Sequence, residues 1–173
     1  MPSDDEPQWL DDEEMAAWIP LMATLVVLPA RFDAQMQEVA GLTQFEYLIL
    51  ASLSESENHT KRISELAGQW HGSLSRLSHL VKRLEQRGWV RREPDPEDGR
   101  YTNAVLTDEG WAKIVATAPD QVRMVRRLVL DHLSRAQLRQ SRAISERLLT
   151  QNISDPDMLP HLRVAGRGRP RNE

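Results

Sequence analysis

Apolar positions recur along this chain mainly with a helical period. Between Leu10 and Val39, the residues Leu21, Leu25, Leu28 and Phe32 fall three or four apart, which sets them on one face of a helix. Pro20 and Pro29 interrupt that stretch, so the spacing predicts a kinked or segmented helix. Gly41 stops it. Thr43-Gln44-Phe45-Glu46 is a capping box for a second helix that carries Leu48, Leu50 and Leu53 and ends near Ser54. The polar run Glu55 to Thr60 reads as a loop, Arg62-Ile63 as a one-rung strand, and Ser64 as the cap of a short helix holding Leu66 and Ala67, broken at Gly72.

From Ser73, a further cap, Leu77, Leu80, Val81 and Leu84 form a stripe, while Ser75, Arg76, Ser78, His79, Lys82 and Arg83 stay outside it. Two helices joined by a tight turn are a helix-turn-helix. After Gly88 the period changes. Trp89 to Glu93 and Tyr101 to Leu106 are strand-like, and Pro94-Asp95-Pro96-Glu97-Asp98-Gly99 between them is rich in turn formers, so the pair predicts a β-hairpin wing. Thr107 caps a long helix expected to bend near Pro119, and a last helix runs from about Ser134 to Thr150 with Leu138, Ile144, Leu148 and Leu149. The fold class is mainly α: a winged helix-turn-helix over about residues 43–106, flanked by helical segments over about 10–40 and 107–151. Residues 1–9 read as an acidic flexible N-terminus and 152–173 as a flexible, Arg-containing tail.

Charge sharpens this picture. The net charge of −4 is unpromising for nucleic acid, but it is unevenly spread. Residues 1–20 hold seven acids and no Lys or Arg; residues 59–103 hold nine basic against six acidic side chains, a local excess of three. Local charge decides what a surface attracts. The absence of cysteine excludes disulfides and thiolate metal sites, and the five scattered histidines form no metal set. No cofactor is expected, and no phosphate loop or nucleophile elbow argues for an enzyme. No uninterrupted apolar run reaches about 18 residues, so a cytoplasmic chain without a membrane partner is expected.

The strings Gly41-Leu42-Thr43, Ile63-Ser64-Glu65-Leu66-Ala67, Ser75 to Gly88, Asp95-Pro96-Glu97-Asp98-Gly99-Arg100 and Leu106-Thr107-Asp108-Glu109-Gly110 together resemble the MarR family of transcription regulators, over about residues 10 to 151. The resemblance implies a homodimer whose terminal helices intertwine, binding pseudo-palindromic double-stranded DNA. It implies that the helix beginning at Ser73 enters the major groove, that Arg100 reaches the minor groove, and that Asp98 braces the wing. It also implies a repressor released by a small amphipathic or aromatic effector. His79 stands where the family usually has Arg. On chemistry alone, Arg76, Lys82 and Arg83 fit either a solvated helix face or guanine edges and phosphates. Trp18, Trp70, Trp89 and Trp111 sit at apolar positions, where ring burial is the general expectation; Trp18, Met22, Tyr47 and Trp111 are also the candidate lining of an effector pocket. Two other readings stay open: a winged helix serving an acidic protein partner without DNA readout, and a ligand-binding or catalytic domain built on the same helices.

Overall fold

A computed structural model describes residues 7–69 and 74–152. Helix α1 spans Asp12–Ala40 and α2 spans Gln44–Ser54. Strand β1 (Thr60–Arg62) leads directly into α3 (Ile63–Gln69), and α4 follows at Leu74–Gln86. Strands β2 (Val90–Pro94) and β3 (Thr102–Leu106) precede the long α5 (Asp108–Leu128) and α6 (Arg135–Asn152). The sheet is antiparallel in the order β1-β3-β2, pairing Arg62 with Asn103 and Arg92 with Ala104.

Local chemistry accounts for the helix ends. Asp11 and Glu14 form a capping box at the start of α1, and Gly41 closes that helix in the left-handed region at φ 65°. Thr43 and Glu46 form the same box on α2. Thr107 caps α5 by accepting the Gly110 N–H, and Ser134 and Gln137 cap α6 reciprocally. The core gathers Met36 from the end of α1, Leu42 from the turn after it, Ile49, Leu50 and Leu53 from α2, Leu66 from α3, Leu77, Val81 and Leu84 from α4, Val90 from β2 and Ala104 and Leu106 from β3. Helix α6 contributes no buried residue.

Four expectations need correction. Helix α1 begins at Asp12 and is not segmented: it runs through both prolines, each of which removes only its own bond to Ala16 or Leu25. The strand lies at Thr60–Arg62, not Arg62-Ile63, because Ile63 is buried and opens the inward stripe of α3 with Leu66 and Ala67. Ser64 is therefore inside the helix. The loop after α2 also ends one residue sooner than expected, since Thr60 already belongs to β1, and Asn58 and His59 turn the chain before it in the left-handed region at φ 51° and 54°. Finally, α1 is long and apolar enough, by length and composition, to cross a bilayer, although isolated charges such as Arg31 hide this from a count of uninterrupted apolar residues. None of its apolar window is buried: Leu21, Leu25 and Val26 are exposed, and Leu28 and Phe32 are half-buried.

Candidate nucleic-acid interface

Helix α4 buries Leu77, Leu80, Val81 and Leu84 and turns Ser75, Arg76, His79 and Lys82 outward, with Ser78 half-buried at the edge. Ser73 lies outside the described residues, as do Trp70, Gly72 and residues 153–173 of the tail. Arg83 is held differently from its neighbours. Its guanidinium lies 3.1 Å from the carboxylate of Glu46, a side chain only 3% exposed, whose other oxygen accepts the Thr43 N–H at 2.8 Å. One buried carboxylate thus caps α2 and anchors α4 to it. A buried charge needs such partners to be tolerated.

The wing is built around a residue that sequence reasoning missed. Asp95, buried at the start of the turn, accepts the Arg62 Nε at 2.8 Å and Nη2 at 3.2 Å, and also the backbone N–H groups of Glu97 and Asp98 at 3.0 and 3.1 Å. The Arg62 hydrogen bond, helped by the two backbone donors, holds the Asp95 carboxyl well below the usual carboxylate range despite its burial. Arg62 also stacks over Tyr101 at 5.0 Å. Asp98, expected to brace the wing, bonds Arg100 within the wing itself. It accepts the Arg100 backbone N–H at 3.1 Å and Nε at 2.9 Å, and it pairs with Nη2. That pairing depresses the Asp98 pKa and orients an arginine that remains 84% exposed at the tip. The tie from wing to body is Asp95 to Arg62. An Asp two and three residues before backbone donors is a turn signature legible in sequence; its partner 33 positions upstream is not.

The wing base is equally tied down. Arg92 bonds Glu85 of α4 at 2.8 Å. Arg87 donates to the Gly41 carbonyl and Lys113 to the Ala40 carbonyl, each at 2.7 Å, and both cations lie over the Trp89 ring at 5.1 and 5.3 Å. The end of α1, which has no basic residue in its last turn, thus receives its compensating charges from elsewhere in the chain. Lys61 points inward to Ser52 Oγ at 2.9 Å and Gln69 Oε1 at 3.2 Å, and burial pushes its pKa down. Of the nine basic residues counted in the sequence, Lys61, Arg62, Arg83, Arg87, Arg91, Arg92 and Arg100 have partners within the chain, and Arg76 is engaged within the chain as well. The cationic surface is more organised, and less available, than the count suggests.

The aromatic expectations divide. Trp89 and Trp111 are half-buried, Trp111 with its ring 4.9 Å from that of His59. Trp18 is 46% exposed rather than buried, because it lies in the half of α1 whose described residues stand exposed. Met22 is exposed beside it, whereas Tyr47 is closed within the core. Burial pushes the Tyr47 hydroxyl up to about 12, with a smaller contribution from Glu55.

Comparison with known proteins agrees with this geometry. Residues 42–102 match the MarR family profile. The chain is similar to Sco3205, a MarR family transcriptional regulator of Streptomyces coelicolor whose crystal structure is in complex with DNA: 38% identity, 89% of this chain and 96% of that one, TM-score 0.80. It is similar to AbsC of the same organism at 35% identity, over 91% and 99% of the two chains, TM-score 0.75. The Escherichia coli K12 transcriptional repressor MprA is 25% identical over 117 residues, a match that covers 57% of this chain and 66% of MprA. With a winged helix of the expected topology and relatives of this identity and coverage, the chain belongs to the MarR family of transcriptional regulators.

Proposed function

We propose that the protein is a homodimeric, sequence-specific double-stranded DNA-binding repressor working in the cytoplasm. The observation that carries this reading is the outward face of α4, with Ser75, Arg76, Ser78, His79 and Lys82, set beside a wing whose tip presents Arg100 on a rigid turn. The helix would occupy the major groove, with Ser75 near its leading end and Lys82 reaching phosphates or guanine edges. Arg100 would enter the adjacent minor groove, where a planar cation meets the most negative potential, and Asp98 would pre-orient it. Arg83, committed to Glu46, would act chiefly by fixing the tilt of α4.

Dimerisation is supported by α1. A helix that is apolar nearly all round and exposed in the single chain needs a cover, and a second copy supplies an equal face. Two symmetric reading heads then require half-sites about 10 bp apart. Release by a small amphipathic or aromatic ligand belongs to the same proposal, with Trp18, Met22 and Trp111 as the accessible members of the candidate site and Tyr47 as its buried one.

Sequencing of the genomic fragments retained by the purified protein tests DNA binding and half-site spacing together, and sedimentation tests the dimer. The expected result is a pseudo-palindrome bound by two chains, with affinity that falls steeply as salt rises. A stable monomer, or indifference to every duplex at low salt, would overturn it. In the second case the basic face would belong to an acidic protein partner.

A further inference from the structure

We propose that Leu74 is a specificity residue that reads the C5-methyl group of a thymine in the major groove. This rests on the DNA-binding reading above and adds to it a contact of a different chemical kind.

Between residues 43 and 106, the described large hydrophobic side chains that stand exposed are Leu74 and Tyr101. Tyr101 has an intramolecular role, since Arg62 stacks on its ring. Leu74 is 56% exposed, while the other aliphatic residues of its helix, Leu77, Leu80, Val81 and Leu84, are at most 6% exposed. Exposing a leucine forgoes most of the stabilisation that burying it would bring, so an apolar residue at this place is better matched to a surface that arrives later.

Its position says which surface. Leu74 is the first described residue of α4, and the leading residues of a recognition helix are those that meet base edges. Side chains on a helix lean toward its N-terminus, so Leu74 projects ahead of Ser75 and shares a flank with Ser78, four residues on. Ser, Arg, His and Lys on this face can address hydrogen-bonding groups. The apolar group on a major-groove edge is the thymine methyl, and an aliphatic side chain is its complement.

The test uses the full-length protein and the strongest duplex recovered from the genomic fragments. Each thymine is replaced in turn, symmetrically in both half-sites, by deoxyuridine, which lacks only the methyl, and affinity is read by fluorescence anisotropy for the wild type and for Leu74→Ala. One thymine should matter to the wild type by about four-fold per half-site, the worth of one buried methyl-sized group. Leu74→Ala should bind the thymine duplex more weakly by a similar factor and be indifferent to deoxyuridine at that position. Its melting temperature should match the wild type, because the side chain is exposed. If no thymine is methyl-sensitive, or the sensitivity survives in Leu74→Ala, the proposal is wrong while DNA binding stands. If no duplex is bound at all, both readings fall.

Discussion

Replacing Gly110 by alanine sets helix propensity against packing, and the two predict opposite signs. Gly110 lies in the first turn of α5, where alanine is intrinsically the better helix former by about 1 kcal/mol. A Cβ built there, however, would stand 2.1 Å from the Trp89 carbonyl oxygen, 2.8 Å from Leu106 Cδ1 and 2.9 Å from the Trp89 carbonyl carbon. The nearest obstacle is backbone, so no rotamer change relieves it; α5 and the start of β2 must part by about 1 Å. The same carbonyl accepts the Thr107 N–H at 3.1 Å, while the Thr107 hydroxyl donates to the Gly88 carbonyl at 2.6 Å. Separation strains both bonds. Overpacking typically costs about 1–3 kcal/mol, and a weakened hydrogen bond up to about another 1 kcal/mol. Against the propensity gain, the net expectation is a loss of about 1–3 kcal/mol, a large part of a typical domain's stability. Urea unfolding followed by far-UV circular dichroism measures it as a lowered midpoint at unchanged slope. A Gly110→Ala protein as stable as the wild type, or more so, would refute the claim that this glycine exists for close approach to the wing base.

The remaining predictions concern the wing and two titrations. Arg100→Ala should lower operator affinity by on the order of ten- to a hundred-fold with little change in melting temperature, as read by anisotropy titration; an unchanged affinity would remove the minor-groove role. Asp95 has a depressed pKa in the folded chain, so its contribution to stability is complete above its ordinary value of 3.8 and is lost as pH falls through the folded value. Asp95→Asn should therefore flatten the acid limb of a stability profile, and an unaltered limb would count against the Arg62 pairing as its cause. Tyr47 has the opposite sign: raised from 10.0 to about 12, it stabilises the fold fully below pH 10 and loses that contribution between pH 10 and 12. Tyr47→Phe should reduce the alkaline loss by about 2 kcal/mol, measured as the difference between wild-type and variant urea midpoints across that range.

What could be read from the sequence is what depends on near neighbours. The Thr43-to-Glu46 box, the stripe Leu77, Leu80, Val81 and Leu84, and the turn between β2 and β3 are all encoded within a few residues, and each stands in the structure as the spacing requires. Errors arose where a local signal competed with packing. Ser64 is a good cap by residue type, but burial of Ile63 starts α3 one residue before it. The prolines of α1 argue locally for a break, yet a long helix tolerates the loss of single bonds. Trp18 departs from the burial rule for aromatics, because among the described residues none covers its ring, which stands 46% exposed.

At the interface the same division has a functional consequence. The outward side chains of α4 were identifiable because helical periodicity separates them from the stripe, but their aim is set by contacts distant in sequence. Arg83 reaches back to Glu46, Arg92 to Glu85, and Arg62 across to Asp95. A count of basic residues treats these three as equivalent to Lys82, although their charges are spent on holding α4 and the wing in fixed relation to the body. Recognition of a duplex depends on that relation: two elements can enter neighbouring grooves together only if the angle between them is set before binding, and flexible elements would lose the corresponding entropy on association. On the proposed function, the buried carboxylates of Glu46 and Asp95 therefore belong to the DNA-reading apparatus, and a list of surface cations alone omits the parts that give those cations their direction.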